Sequence, residues 1–304
     1  MESEVELYKL LLCPKGADDR FHRPACIHAT CKACKDRTKT LMEHFSHLPP
    51  SQEVSWTRWT QGEKWGRQTR LPIEKTATVK VCLEELVKDV LHPLKNVSFS
   101  QHLFTAHWEA AQYRQLKETL KPTEILLVQD FAENRKAACQ DEIKQAHFGK
   151  KQITLHPVIA FYLNENGERV RHAINFISDD TTHDHHAVHQ FTAKTFDILK
   201  EQGVLKPESK MYIFSDGCAA QYKGRGTFAD LSLYTQNVHR VYFGSEHGKG
   251  EADGETGVIS KSVKSEILCR KSTVTDAASF MKVCDKLQKD EPLSKRAFVL
   301  VEPH

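Results

Sequence analysis

Two short apolar runs, each followed closely by an aspartate, constrain the fold of this chain more than any other feature. One spans residues 124–128 and leads to Asp130, and the other spans residues 211–214 and leads to Asp216. A short, continuous apolar run is typical of a strand that is buried on both faces of a sheet. Because ligands of open α/β sheets bind outside the carboxyl ends of the strands, both aspartates are candidate site residues.

The elements around these runs predict a mixed α/β sheet. Two strands of a hairpin are expected at residues 153–163 and 169–177, and a helix at 187–202. A fifth strand is expected at 238–243 and a final helix at 257–268. Three antiparallel strands followed by strands joined through helices is the order of a ribonuclease-H-like fold. We therefore predict a ribonuclease-H-like, mixed five-stranded sheet flanked by helices, in which the first and fourth strands are neighbours.

Neighbouring first and fourth strands would bring Asp130 and Asp216 to one edge of this sheet. Close carboxylates repel each other unless a cation neutralises them, and oxygen ligands suit Mg²⁺ or Mn²⁺. Two such ions, ~3.5–4 Å apart, can activate a nucleophile and stabilise the leaving oxygen in phosphoryl transfer. The alternative, that each aspartate caps a turn or a helix, stays open.

A third acid is expected from the glycine-rich segment that precedes the final helix. This segment offers three candidates: Glu251, Asp253 and Glu255.

Four of the nine cysteines lie close together near the start of the chain. They are Cys13, Cys26, Cys31 and Cys34. The Cys31-x-x-Cys34 spacing lets two thiolates bind one ion, and four thiolates form a tetrahedral, structural Zn²⁺ site. An odd cysteine count with one tight cluster favours a metal site over disulfides. His22 and His28 are alternatives for one ligand, and the module is either a purely structural staple or a DNA contact.

Changes in pattern along the chain predict four regions. We expect a Cys/His zinc-binding module at residues 1–47 and a mixed, mainly helical connecting region at 48–122. The catalytic core would follow at 123–285 and a C-terminal tail at 286–304. Within the connecting region, apolar periodicity predicts helices over residues 79–91 and about 98–120.

Composition narrows the class of protein. Hydrophobic residues make up 39% of the chain, which is enough for a packed core. No run approaches the ~18 apolar residues of a membrane span, and no secretory signal is apparent. We therefore expect a nuclear or cytoplasmic protein that is neither secreted nor in a membrane. A net charge of +3 permits nucleic-acid binding without requiring it.

Several basic residues near the candidate acids are expected to contact DNA phosphates, although a solvated surface explains any one of them equally well. They are Lys223, Arg225, Lys249 and Lys261. The pattern leaves homo-oligomerisation open.

Four segments together resemble a known family. They are VQDFAEN, FISDD, FSDGCAAQYK and GSEHGKGEADG, at residues 128–134, 176–180, 214–223 and 244–254. Over roughly residues 98–268 the chain resembles transposon-derived, DDE-type proteins found widely in animal genomes. That resemblance implies a ribonuclease-H-like transposase core with divalent-metal-dependent DNA strand transfer.

Carried over position by position, the resemblance assigns Asp130 as the first acid and Asp216 as the second. Asp253 matches the acid of the family's His-Gly-Lys-Gly-x-x-Asp-Gly pattern. One departure is Glu255, which stands where a small or apolar residue is usual. Members of the family also tend to be longer than this chain.

The resulting hypothesis is a DDE-type, transposase-like polynucleotidyl transferase that uses Mg²⁺ or Mn²⁺ and acts on DNA. The alternative is a domesticated, catalytically silent relative that binds DNA or protein. An exonuclease or ribonuclease on the same fold is a third hypothesis, because the chemistry at phosphorus is shared.

Overall fold

In a computed structural model, the chain divides into two compact units, Met1–His107 and Trp108–His304. The structure describes most of both units, at residues 4–16, 21–28, 30–34, 38–64, 67–91, 99–137, 151–244 and 250–302.

The first unit combines short helices with one long hairpin. Its elements are α1 (Glu4–Leu11), α2 (Pro24–Ile27), a 3₁₀ turn (Lys32–Cys34), α3 (Thr38–His44), β1 (Glu53–Lys64), β2 (Arg67–Thr78) and α4 (Val79–Leu91). The predicted helix over residues 79–91 is confirmed. The antiparallel hairpin of β1 and β2 was not among the predicted elements.

Helix α5 (Phe99–Glu118) leads into the second unit and confirms the helix predicted over about 98–120. The other elements are β3 (Glu124–Gln129), β4 (Arg135–Lys136), β5 (Gln152–Leu163), β6 (Arg169–Ser178), α6 (His185–Glu201), β7 (Lys210–Ser215), α7 (Arg225–Asp230), β8 (Asn237–Tyr242), α8 (Glu251–Leu268), α9 (Ala277–Cys284), β9 (Lys289–Glu291) and β10 (Ser294–Val301), with 3₁₀ turns at Leu231–Leu233 and Asp285–Leu287.

These strands form one mixed sheet in the order β8-β7-β3-β5-β6-β10-β9, with β4 paired to β5. Strand β5 is antiparallel to both β3 and β6, whereas β7 is parallel to both β3 and β8. The predicted adjacency of the first and fourth strands, β3 and β7, is confirmed. A mixed sheet flanked by helices is therefore present.

Alternate residues of β3 pack into different cores because successive side chains of a strand point to opposite faces. Ile125 and Leu127 pack against α6 on one face. Leu126 and Val128 pack against residues of α5 on the other face. A neighbouring apolar cluster joins α8 and α9 to the sheet. The sheet is thus covered on both faces, as its continuous apolar strands require.

The prediction of five strands was wrong, because the sheet has eight strands among the described residues. Residues 294–301 lie in the expected tail but form β10. This strand pairs in parallel with β6, from Ser294 opposite Arg171 to Val301 opposite Ser178. A short strand of this kind is stable only when a neighbour supplies hydrogen bonds and packing, and that neighbour is more than a hundred residues away in sequence.

The helix predicted to be the last one, α8, begins at Glu251, earlier than the expected residue 257, and α9 follows it. Glycine lowers helix propensity, so Gly254 and Gly257 argued against a helix in this segment. Burial of Ala252 and Glu255 against the sheet outweighs that weak preference.

Candidate functional site

Asp130 and Asp216 directly follow the ends of two adjacent parallel strands. In the pairing of β3 with β7, Val128 lies opposite Phe214. Continuing this register by two residues puts Asp130 level with Asp216, on strands that are ~4.8 Å apart. The backbone N–H of Cys218 donates a hydrogen bond to Oδ1 of Asp216, over 3.0 Å, and orients that carboxylate.

The protonation of Asp130 responds to the other two candidate acids. Burial, followed by the charges of Asp216 and Asp253, raises the pKa of Asp130 to about 7. The backbone N–H of Phe131 acts in the opposite direction and lowers this pKa. The three carboxylates are therefore near enough for their charges to interact, and a divalent cation would relieve the repulsion between them.

The three acids at the start of α8 have different partners. Glu255 is 1% exposed and is surrounded by Arg171, Arg296 and Asn175. Arg296 and Arg171 lower its pKa, although burial acts in the opposite direction and is the largest single influence.

Glu251 pairs with Lys117 and Arg171. Asp253 is exposed, and its Oδ2 accepts a hydrogen bond from the backbone N–H of Gly250 over 3.2 Å. Asp253 is thus the acid of this turn whose charge acts on Asp130, and it also caps the helix.

The described residues contain two groups of potential metal ligands. Within each group, the ligand atoms all lie within 4.8 Å of one another. Asp130, Asp216 and Asp253 do not form a third group of this kind. A two-ion site would not need all three carboxylates in one close group. Its ions lie ~3.5–4 Å apart, so different carboxylates can bind different ions.

The first of these groups is the four predicted cysteines, so their convergence is confirmed. The Sγ atom of Cys13 lies 3.3 Å from Sγ of Cys34 and 3.9 Å from Sγ of Cys31. Hydrogen bonding from Cys34 lowers the pKa of Cys31 to about 7, whereas burial raises the pKa of Cys26 to about 12. Four converging sulfurs are the donor set of a structural Zn²⁺ site, and zinc binding would deprotonate all four thiols.

The two histidine alternatives lie outside this sulfur group. The ring of His22 bonds through Nδ1 to the carbonyl oxygen of Cys13, over 2.9 Å, and His28 is exposed. The arrangement therefore favours four cysteine ligands.

The second group is Asp184, His185 and His186, at the start of α6. Asp184 is the N-cap of this helix, and its Oδ1 accepts a hydrogen bond from the backbone N–H of Ala187. The positive end of the helix dipole disfavours a cation at this position. A polar helix start therefore explains the group.

Three of the four basic candidates lie on exposed surface. Lys223 projects over the ring of Tyr242, 5.3 Å from its centroid, and Arg225 begins α7. Lys261 is exposed on α8, in the same helix as Asp253. Lys249 lies outside the described residues.

A buried polar pair lies beside the aspartates and was not among the predicted site residues. Both His156 and Tyr222 are fully buried, with His156 Nε2 and Tyr222 Oη 3.2 Å apart. Burial, Asp130 and Asp216 raise the pKa of Tyr222 well above its usual range. The one sequence signal was a histidine inside the apolar strand β5.

No helix in the described parts of the chain combines the length and apolar character needed to cross a membrane.

Comparison with solved structures finds a match described as "Crystal structure of the Mos1 mariner paired end complex with Mn". The match has a TM-score of 0.29 and 8% sequence identity, and it covers 90% of this chain and 78% of that chain. A TM-score this low supports no argument about shared fold or function. A search of curated proteins found no significant match.

A family model described as "Domain of unknown function (DUF8701)" matches residues 109–299, which include all three candidate acids and most of the second unit. The chain therefore belongs to the DUF8701 family, a domain of unknown function.

Proposed function

We propose that this protein is a DDE-type, transposase-like polynucleotidyl transferase that cleaves and joins DNA strands with two metal ions. The observation that carries the proposal is the common level of Asp130 and Asp216 at adjacent parallel strand ends, with the charge of Asp253 acting on Asp130. Neighbouring carboxylates at the carboxyl ends of strands are suited to bind Mg²⁺ or Mn²⁺.

The order of the strands supports a ribonuclease-H-like core. Strands β6, β5 and β3 are antiparallel neighbours, and the parallel strands β7 and β8 follow on the other side of β3. The third acid comes from α8, the next helix after β8.

In the proposed site, Asp130, Asp216 and Asp253 would hold the two ions. When bound, the ions neutralise charge at the phosphate and make a water molecule a better nucleophile. The chain itself orients the ligands through the Cys218 and Phe131 backbone N–H groups. Water would attack the phosphorus of a DNA phosphodiester and release a 3′-hydroxyl. That hydroxyl would then attack a phosphodiester of target DNA and displace the 3′-oxygen of the target strand.

We further propose that the four cysteines hold one structural Zn²⁺, and that Lys223, Arg225, Lys249 and Lys261 contact DNA phosphates. Action on DNA implies a nuclear location.

The direct test is nicking of supercoiled plasmid DNA by the purified chain with Mg²⁺ or Mn²⁺. Asp130→Asn should abolish nicking, because it removes a negatively charged ligand of the ions while keeping the size of the side chain. Asp197→Asn, at an exposed position on α6, is the matched control and should nick like wild type. Equal activity in both variants would refute the assignment of Asp130.

A second candidate is a catalytically silent protein that binds DNA or protein through the same fold. One observation favours it: the carboxylate of Asp253 is engaged with the backbone of Gly250. Salt-sensitive DNA binding without metal-dependent nicking would support this alternative.

A further inference from the structure

Glu255 is a carboxylate buried to 1% exposure on the face of α8 that packs against the sheet. Removing a carboxylate from water is unfavourable unless cations and hydrogen-bond donors surround it. Three residues from two strands meet this need.

Arg296 of β10 contacts both oxygens of Glu255, through Nε at 2.5 Å and through Nη2 at 3.2 Å. Arg171 of β6 donates from Nη2 over 2.9 Å, and Asn175 of the same strand donates from Nδ2 over 3.3 Å. Both oxygens are therefore engaged by cationic or amide donors, which leaves Glu255 unsuited to bind a metal ion.

The ion-pair network extends one turn back to Glu251. Its carboxylate lies 3.7 Å from Nε of Arg171 and pairs with Lys117 of α5. The ammonium group of Lys117 lies 4.1 Å from the centroid of the Phe161 ring, on β5. The first turns of α8 are thus tied to β5, β6, β10 and α5.

Asp253 lies between the two glutamates, on the exposed side of the same turn. A helix is rigid over one turn, so the positions of Glu251 and Glu255 determine where Asp253 lies. The segment has little helix propensity of its own, since it contains Gly254 and Gly257. Burial of Ala252 and ion pairs to the sheet therefore have to supply the order that the local sequence lacks.

We propose that Glu255 is a positioning residue for the metal site. Together with Arg171 and Arg296, it holds the first turn of α8 on the sheet and so sets the distance from Asp253 to Asp130 and Asp216. This role rests on the proposed function of those aspartates. It also makes β10, the source of Arg296, part of the structure that forms the site.

The test compares Glu255→Gln with Glu266→Gln in the full, zinc-loaded chain. Glu266 is a matched control because it lies on the same helix and pairs with Lys286, far from Asp253. Mn²⁺ binding is measured from the free-ion electron paramagnetic resonance signal. Hydrogen exchange is measured separately for residues 251–257 and 262–268.

Glu255→Gln should weaken Mn²⁺ binding about tenfold, as changes to groups that orient metal ligands do. It should also speed hydrogen exchange in residues 251–257 and leave residues 262–268 protected. Glu266→Gln should bind Mn²⁺ like wild type. Equal Mn²⁺ affinities for the two variants would overturn the positioning role.

Asp130→Asn separates the two proposals. Wild-type Mn²⁺ affinity in Asp130→Asn would refute the metal site itself. Loss of binding in Asp130→Asn with unchanged binding in Glu255→Gln would refute the role of Glu255 alone. Should Glu255→Gln fail to fold, Arg296→Lys replaces it: weakened Mn²⁺ binding supports the role, and wild-type affinity overturns it.

Discussion

The three aspartates of the proposed site lie in different environments. Asp130 is half-buried, and burial and neighbouring charge raise its pKa to about 7. Asp216 is held by the Cys218 N–H group, and Asp253 is exposed. A cation must displace the proton that Asp130 partly retains near neutral pH. Metal affinity should therefore rise with pH through this range.

At the same scale, the buried His156 makes stability depend on pH. Burial, followed by the charge of His183, lowers the pKa of His156 to about 3. Above about pH 6.5 the ring is neutral in both folded and unfolded chains. Below that value the unfolded chain takes up a proton that the folded chain refuses. The free energy of unfolding should fall by up to about 1.4 kcal/mol per pH unit.

Urea unfolding between pH 7 and pH 5 checks this prediction. His156→Leu should reduce the pH slope, while His239→Gln, at an exposed histidine of β8, should keep the wild-type slope. Some slope should persist in the first variant, because burial also lowers the pKa of His172, to about 4. Identical slopes in both variants and wild type would contradict the prediction.

Among the elements, α8 and β10 depend on each other. The buried residues of α8 follow a helical spacing: Ala252, Glu255, Ile259 and Val263. Glu255 is the charged residue among them, and Arg296 of β10 pairs with its carboxylate. The strand in turn contributes Phe298 to the apolar cluster that packs around α8 and α9. Each element therefore supplies part of the packing of the other.

Truncating a side chain within residues 294–301 tests whether this segment is a core strand or a tail, because only a core strand loses stability. Phe298 is 6% exposed and Leu300 is 39% exposed on the same strand. Phe298→Ala should lower the free energy of unfolding by about 3–5 kcal/mol, since it leaves a cavity. Leu300→Ala should cost much less. Urea denaturation of both variants measures the difference, and two negligible effects would show that residues 294–301 do not form β10 in solution.

On the scale of the whole molecule, the two units are stabilised in different ways. The second unit has a large sheet with apolar clusters on both faces. Among its described residues, the first unit has two small apolar clusters, and one of them contains the cysteines. Small cores of this size usually need a metal or disulfides for stability. The structure contains no disulfide among the described cysteines.

Zinc removal should therefore affect the first unit selectively. We expect one Zn²⁺ per chain by elemental analysis, and none in Cys31→Ser combined with Cys34→Ser. Limited proteolysis of this variant should be faster than in wild type within residues 1–107 and unchanged in the second unit. Cys82→Ser, at a cysteine of α4, is the control and should keep its zinc and its resistance. Full zinc content in the double variant would refute the site.

The sequence alone determined the elements whose signal is local. Continuous apolar runs identified β3 and β7, and helical periodicity identified α4 and α5, because these patterns need no distant partner to be recognised. Four cysteines within a short segment likewise indicated their convergence, which local folding can achieve. The pattern also assigned Asp130 and Asp216 to strand ends.

Only the tertiary structure decided the features that depend on distant partners. Strand β10 is recognisable through its pairing with β6, and the early start of α8 depends on Arg171 and Arg296, which lie far from Glu255 in sequence. The cationic partners of Glu251 and Glu255, which favour Asp253 as the third acid of the proposed site, are likewise visible only in the tertiary structure. Propensity and spacing act over a few residues, whereas burial and ion pairing act through space.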